Sequence, residues 1–299
     1  MAPSSRKAGD YGSGRGIHTN TYIPVFKTNL KEDGPMKEIC TDLAKEYEEL
    51  DTIVAALDES GWYVMTPAEG WTVKDQIRHL AYYDERAKLA VTEPEAFGQY
   101  LADITIDPED HRETLEKVGK ELAVAELLNW WRQERRALLD ALIPLARKAR
   151  LRWYGPPLSA LSFATARLME TWAHGQDVVD ALGIERVPTD RLRHIAHLGV
   201  ATFGWSYSVR QMKVPDSPVR VEITSPSGEL WAWGPEKAKD IVKGPAEDFC
   251  LVVVQRRTLA DTQLVIEGAT ARQWMSIAQT YAGLPGAGRK PGMLAKSTS

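Results

Sequence analysis

Residues 168–174 read LMETWAH and lie in a stretch whose composition is typical of one long helix. Ser159 is a suitable N-cap for this helix, and Gly183 is a suitable residue to end it. Glu170 and His174 are four residues apart, so their side chains leave the same helix face about one turn from each other. A carboxylate and an imidazole placed in this way can bind one metal ion.

A third ligand is predicted from an earlier helix. His79 lies in the middle of a helix expected over residues 72–91, which begins with Thr72 three residues before Asp75, the pattern of a capping box. Two imidazoles and one carboxylate from facing helices form the ligand set of open catalytic zinc sites. The same set also binds Fe(II), nickel or manganese, because these ligand types do not select one ion by affinity alone.

The competing interpretation is that Glu170 and His174 share a helix face by chance. Glu170 lies among apolar residues, and a buried carboxylate without a proton, a cation or hydrogen bonds is costly, which favours the metal. A metal-binding imidazole usually donates its other N–H to a carboxylate or carbonyl. The candidates for such supporting roles are Asp75, Asp177, His194 and His197. The alternatives are a solvated surface acid at Asp177 and an ordinary polar helix start at the last two histidines.

The periodicity of apolar residues predicts an α+β protein in two domains. Helices are predicted over residues 36–58, 72–91, 121–147, 159–183 and 189–210, with a rigid loop at 153–157. Together they predict an antiparallel helical bundle over residues 36–212. Alternating strands at 219–224 and 230–233, joined by a turn, predict a small α+β domain over 213–285. Residues 1–35 are predicted to be a disordered or non-native arm, and 286–299 a flexible tail.

Composition and charge exclude several classes of protein. Lys and Arg number 37 and Asp and Glu 41, which gives a net charge of −4. The sequence therefore lacks the excess of positive charge that is typical of proteins that bind nucleic acid. No run of about 18 apolar residues predicts a membrane span. Cys40 and Cys250 lie in different halves without metal-binding spacing, which predicts reduced structural thiols and a cytoplasmic location. No nucleophile-elbow, P-loop or dinucleotide-binding motif is present, and no oligomeric state is predicted.

Two motifs resemble those of a known family. The two motifs are GWTVKDQIRHL at residues 70–80 and ETWAHGQDV at residues 170–178. In both, this chain resembles the mycothiol-dependent maleylpyruvate isomerase branch of the DinB-like superfamily. WYGPP at 153–157 and DRLRH at 190–194 resemble an uncharacterised bacterial group of metal-binding proteins within that branch. The resemblance covers residues 36–291.

The resemblance implies zinc bound by His79, Glu170 and His174, and mycothiol as a second cofactor. It further implies that a sterol-carrier-like α+β domain closes over the bundle and supplies an arginine that binds a substrate carboxylate. Here the corresponding segment reads VQRRT at residues 254–258 and departs from the family's Gly-Arg pattern. Arg257, with Arg256 as the alternate, is the predicted catalytic arginine; a surface pair of arginines is the competing interpretation.

The leading functional hypothesis is a metal-dependent enzyme that activates a low-molecular-weight, mycothiol-like thiol. It would transfer the thiol to a small carboxylated substrate or catalyse cis–trans isomerisation of that substrate. One alternative is a thiol-independent enzyme, of hydrolase or cyclase type, in which the metal acts as a Lewis acid. Another is a protein that binds a metal and a ligand without turnover.

Overall fold

The computed structural model describes residues 36–283, 285, 286 and 288–293. The predicted arm at 1–35 and the last residues of the predicted tail, 294–299, lie outside the described residues. Helices form the first part of the described chain, and a four-stranded sheet with two helices forms the second. This arrangement confirms the predicted α+β class, with a helical bundle followed by a small sheet-containing domain.

Eight helices form the first part. They are α1 (Lys37–Ala55), α2 (Val73–Thr92), α3 (Pro94–Ile106), α4 (Pro108–Lys117), α5 (Val124–Leu142), α6 (Ala160–Leu182), α7 (Leu192–Ala201) and α8 (Phe203–Ser208). Helix α2 packs against α5 and α6, while α1 packs against α5 and α6 from the other side. Helix α6 is buried around most of its circumference, which makes it the central helix of the bundle. Residues on α2 and α6 therefore meet in the bundle interior.

Local sequence explains where these two central helices begin and end. The Thr72 hydroxyl accepts a hydrogen bond from the Asp75 backbone N–H, and the Asp75 carboxylate accepts one from the Thr72 N–H, which completes the predicted capping box. Ser159 caps α6 by accepting from the Ser162 N–H at 3.1 Å. Gly183 ends α6 in the left-handed region, with φ of 65°.

Several elements differ from the prediction. Helices α3 and α4 occupy a segment for which no element was predicted, and α5 is shorter than the helix predicted over 121–147. The helix predicted over 189–210 is divided at Thr202 into α7 and α8. The rigid loop predicted at 153–157 lies within a two-stranded hairpin, β1 (Arg150–Trp153) and β2 (Gly155–Ser159). Its prolines are tolerated because a two-stranded hairpin has only edge strands.

The small domain has a mixed sheet. Its strands are β3 (Val219–Thr224), β4 (Leu230–Trp233), β5 (Asp240–Pro245) and β6 (Val265–Glu267), in the order β4-β3-β5-β6. Strands β3 and β4 form the predicted hairpin, β3 and β5 are parallel, and β5 and β6 are antiparallel. Two helices cover the sheet, α9 (Ala246–Val253) and α10 (Ala269–Ile277). The predicted boundary between residues 212 and 213 falls in the connection from α8 to β3.

Helix α9 joins the small domain to the bundle by packing against α7. At the crossing, a β-carbon on Gly199 would lie 2.9 Å from Val253 and 3.1 Å from Phe249, so only glycine permits this close approach. The described part of the tail also docks: Arg289 pairs with Asp177 of α6 and donates to the Pro67 carbonyl. These contacts differ from the flexible tail predicted from residue 286 onward. None of the helices in the described residues is both long and apolar enough to span a membrane.

Candidate metal centre

The three predicted ligands meet between α2 and α6. The imidazoles of His79 and His174 have ring centroids 4.4 Å apart, and Nε2 of His174 lies 3.3 Å from Oε2 of Glu170. One potential ligand atom from each of the three residues lies within 4.8 Å of the other two. Tetrahedral ligands at 2.1 Å from a zinc ion are about 3.4 Å apart, so small side-chain rotations would bring these atoms to coordinating distance. The donor set and its spacing therefore fit a divalent ion.

A chain of hydrogen bonds orients His174. The Thr66 hydroxyl donates to the Trp71 carbonyl at 2.9 Å, and the Gln76 amide nitrogen donates to the Thr66 oxygen at 2.9 Å. The Gln76 amide oxygen therefore faces Nδ1 of His174, at 2.5 Å. Since that oxygen can only accept, the His174 Nδ1 must carry the proton and donate it. Nε2, the nitrogen that faces Glu170, then keeps its lone pair for a metal.

The electrostatics favour the protonation states that a metal requires. Burial, reinforced by the positive charges of Arg167 and Arg256, lowers the pKa of His79 well below its usual value. Burial alone would raise the pKa of Glu170, but the neighbouring His174 and the charges of Arg167 and Arg256 outweigh it. The net effect is a lowered Glu170 pKa. At neutral pH the centre therefore presents a neutral imidazole and an ionised carboxylate, the forms that coordinate metals.

Aromatic rings surround the ligands. The Trp71 ring is stacked on His174 at an interplanar angle of 17°, with centroids 6.0 Å apart, and it also contacts His79. The Tyr83 ring lies 4.5 Å from the His79 ring and contacts Tyr154 of the β1–β2 hairpin. These rings limit the access of water to the histidines, and a low local dielectric strengthens charge interactions at the site.

Comparisons with known proteins place this chain in a family. The family model described as the mycothiol maleylpyruvate isomerase N-terminal domain matches residues 43–179, which include all three candidate ligands. The uncharacterised proteins MT0041 and Rv0036c, from two strains of Mycobacterium tuberculosis, are each 44% identical over 263 residues. The alignments cover 87% of this chain and 100% of the relatives. The chain belongs to the maleylpyruvate isomerase-like branch of the DinB-like superfamily.

This chain is also similar in fold to solved structures. The mycothiol-dependent maleylpyruvate isomerase and a histidine-to-alanine mutant of it match with TM-scores of 0.51 and 0.52. Sequence identity is 16% and 17%, and each match covers 75% of this chain and 90% of the other, so these matches show a shared fold only. A second family model, described as wyosine base formation, matches residues 215–266 in the small domain.

The residues predicted to support the ligands have other partners in the structure. Asp75 caps α2 and pairs with Arg78 at 3.4 Å. The Asp177 carboxylate is bound by Arg256 and Arg289, and His194 lies 3.0 Å from Asp42 of α1. Burial lowers the pKa of His197, which lies on α7 beside His194. Gln76, three residues before His79, makes the hydrogen bond to His174 that was predicted for an acid.

The two predicted arginines lie at the junction between α6 and the small domain. Arg257 donates two hydrogen bonds of 2.7 Å to the two oxygens of Asp180. Arg256 donates to Asp177 at 3.0 Å, and its charge acts on both Glu170 and His79. Arg256, the alternate in the prediction, is therefore the arginine whose charge reaches the candidate ligands.

Sequence reasoning missed two kinds of residue at the centre. Gln76 was overlooked because a glutamine is rarely considered as a partner for a metal-binding histidine, although it lies one turn before His79 on the same helix. Arg167 was overlooked although it lies one turn before Glu170 in the same way. The i, i+3 spacing could have found both, but only the structure shows that Gln76 bonds to His174 and that Arg167 pairs with Asp84 while its charge acts on Glu170.

Proposed function

We propose that the protein is a metal-dependent enzyme that activates a low-molecular-weight thiol, such as mycothiol. The thiol would be transferred to a small carboxylated substrate or would catalyse cis–trans isomerisation of that substrate. The observation that supports this proposal is the convergence of His79, Glu170 and His174, with His174 oriented to leave Nε2 free. Zinc is the ion we propose, because three such ligands leave an open fourth position in catalytic zinc sites.

The chain cannot provide the thiol itself. Cys40 and Cys250 are both buried, and burial raises the pKa of Cys40 to about 11 and that of Cys250 well above its usual value. Both side chains are protonated and shielded at neutral pH, so the nucleophile must come from a small molecule. A bound divalent ion would lower the pKa of such a thiol and so supply a nucleophile at neutral pH. The two buried, reduced thiols also support the predicted cytoplasmic location.

The surrounding residues are suited to a carboxylated substrate. Both arginines are paired, Arg256 with Asp177 and Arg257 with Asp180. We infer that Arg256 attracts the carboxylate, because its charge acts on Glu170 and His79. The Tyr83 ring lies beside the His79 ring. Burial raises the pKa of Tyr83 to about 12, so its phenol stays protonated at neutral pH and can act as a hydrogen-bond donor but not as a base.

Thiol activation can be tested without knowing the substrate. Mycothiol is titrated into the zinc-loaded protein by calorimetry in two buffers that differ in ionisation enthalpy, which measures the protons released on binding. We expect about one proton per thiol near neutral pH, because the bound thiol ionises. An analogue with a hydroxyl in place of the thiol should release none. Binding of mycothiol without proton release would contradict thiol activation.

A turnover assay separates the three hypotheses. Maleylpyruvate serves as the probe substrate, and product is followed by NMR with and without mycothiol. We expect product only with the thiol present, and none from the His174→Ala variant. His194→Ala is the matched control, since this imidazole also pairs with a carboxylate but lies against Asp42 of α1. Product without thiol would favour the Lewis-acid enzyme, whereas thiol binding without proton release or product would favour a binding protein.

A further inference from the structure

A buried ion pair lies one turn from the candidate ligands. Asp84 of α2 is 0% exposed, and the Arg167 side chain of α6 is 4% exposed. Arg167 donates from Nε to Asp84 Oδ1 at 3.0 Å, and its Nη2 lies 2.9 Å from the same oxygen. Asp84 follows His79 by five residues, and Arg167 precedes Glu170 by three. The pair therefore links the two helices that carry the ligands, next to the ligands themselves.

Further hydrogen bonds fix the Asp84 carboxylate. Tyr47 of α1 donates its hydroxyl proton to Oδ1 at 2.8 Å, and Trp131 of α5 donates its indole N–H to Oδ2 at 3.2 Å. With Arg167, Asp84 thus connects four helices of the bundle. Because each donor approaches from a different helix, a shift of α2 along α6 would break several of these bonds together.

Stability alone is a weak explanation for this pair. Removing two charges from water is expensive, and replacing a buried ion pair by apolar residues of similar volume is often neutral or stabilising. Arg167 also interacts with groups other than Asp84. Its Nη2 is buried without a hydrogen-bond partner of suitable geometry among the described residues. Its positive charge acts on Glu170, His79 and Tyr83, which surround the centre.

We propose that Asp84 and Arg167 are a positioning pair for the metal centre. The pair fixes the register of α2 against α6, so that His79 meets Glu170 and His174, and it places a positive charge beside Glu170. This inference rests on the proposed metal site. It adds that the affinity of that site depends on two residues that do not bind the ion.

The test compares fold stability with zinc affinity. In the double variant Asp84→Leu/Arg167→Met, apolar side chains of similar length replace the pair, so no lone charge is left buried. The Tyr47 hydroxyl and the Trp131 indole N–H lose their acceptor, so we expect a folded bundle with a lowered melting temperature. Zinc affinity, measured by competition with a chromogenic chelator, should fall at least tenfold. A folded double variant that binds zinc as tightly as the wild type would overturn the proposal. Wild-type protein without zinc affinity would instead defeat the proposed metal site itself.

Two further variants keep the test decisive if the double variant does not fold. Asp84→Asn preserves shape and should still lower zinc affinity by at least fivefold, with folding checked by circular dichroism. Glu46→Gln is the matched control, since Glu46 is a buried carboxylate of α1 bound by Arg186 and Arg191, neither of which lies on α2. We expect Glu46→Gln to destabilise the fold without changing zinc affinity. Equal losses of zinc affinity in Asp84→Asn and Glu46→Gln would show that general loosening is the cause and overturn the positioning role.

Discussion

Gln76 determines which nitrogen of His174 is available. Replacing it in the Gln76→Met variant keeps the volume but removes the acceptor for the Nδ1 proton. The imidazole would then be free to rotate or to change tautomer, and loss of such a partner typically costs 10–100-fold in metal affinity. We expect a loss of about this size for zinc, measured by chelator competition. Gln279→Met is the control, because Gln279 is also buried and bonded to carbonyls, but within the small domain. Equal zinc affinities in wild type and Gln76→Met would contradict the proposed role.

The two cysteines should be inert in the folded protein. With the pKa of Cys40 at about 11, its thiolate fraction at pH 8 is about one in a thousand, and burial also raises the pKa of Cys250 well above its usual value. A thiol-reactive disulfide reagent should therefore label neither residue in native protein, whereas both should react after unfolding in urea. Rapid labelling of the native chain at pH 8 would show an accessible thiol, and an external thiol would no longer be required.

The chemistry of single residues explains how much of the centre the sequence predicts. Glu170 and His174 are ligand types at helical spacing, and His79 lies in the middle of another predicted helix, so the sequence can nominate all three as ligands. Gln76 and Arg167 are not ligand types, and their roles depend on which way α2 and α6 face each other. Helical periodicity identifies the residues that share a face on one helix, but it does not give the rotation of one helix relative to another.

At the scale of elements, α6 connects the centre to the small domain. The charged residues that follow His174 on this helix, Asp177 and Asp180, bind Arg256 and Arg257. Asp177 is a predicted hydrogen-bond partner for the candidate metal ligand His174, because it lies within one turn of that residue. The structure shows it turned to the arginines of the small domain, an arrangement that no local pattern could indicate because the residues are 79 positions apart.

The Asp180–Arg257 pair should stabilise this junction. Both side chains are less than a tenth exposed, so Asp180→Asn would leave a buried guanidinium without its counter-charge. Loss of one partner of a buried pair costs about 3 kcal/mol, and we expect a decrease of that order in the free energy of unfolding. Denaturant unfolding measures it, with exposed Asp216→Asn as a control expected to stay within about 0.5 kcal/mol. A change in Asp180→Asn no larger than the control would show that this pair does not stabilise the junction.

Elements were predicted best where the apolar period is strong. Helices α1, α2 and α6 have regular apolar spacing, α2 and α6 also have side-chain caps at their N-termini, and the observed bounds of all three lie close to the predicted ones. Helix α4 is mostly charged and buries little, so its sequence carries no strong period. The β1–β2 hairpin was missed because two adjacent prolines, Pro156 and Pro157, indicate a loop more strongly than a strand.

At the scale of the whole molecule, the bundle supplies the candidate ligands, and the small domain supplies Arg256, whose charge acts on Glu170 and His79. Family membership and fold could be predicted from two motifs, because these motifs include the candidate ligands and their helices. The docked tail could not be predicted, since Arg289 pairs with a residue more than a hundred positions earlier. Long-range ion pairs of this kind depend on the assembled fold.

The most direct test of the metal centre is zinc content and zinc-dependent melting in Glu170→Gln. Glutamine keeps the volume of Glu170 but removes the negative charge that offsets the ion. With free zinc at 100 times Kd, binding stabilises a protein by about 2.7 kcal/mol, which raises the melting temperature of a chain of this size by about 5 °C. We expect this rise, and about one zinc per chain, in the wild type and in the control Glu134→Gln, whose carboxylate pairs with Lys88. The rise in melting temperature and the bound zinc should both be largely lost in the Glu170→Gln variant. Full zinc occupancy and an unchanged rise in the Glu170→Gln variant would show that Glu170 is not a ligand and contradict the account.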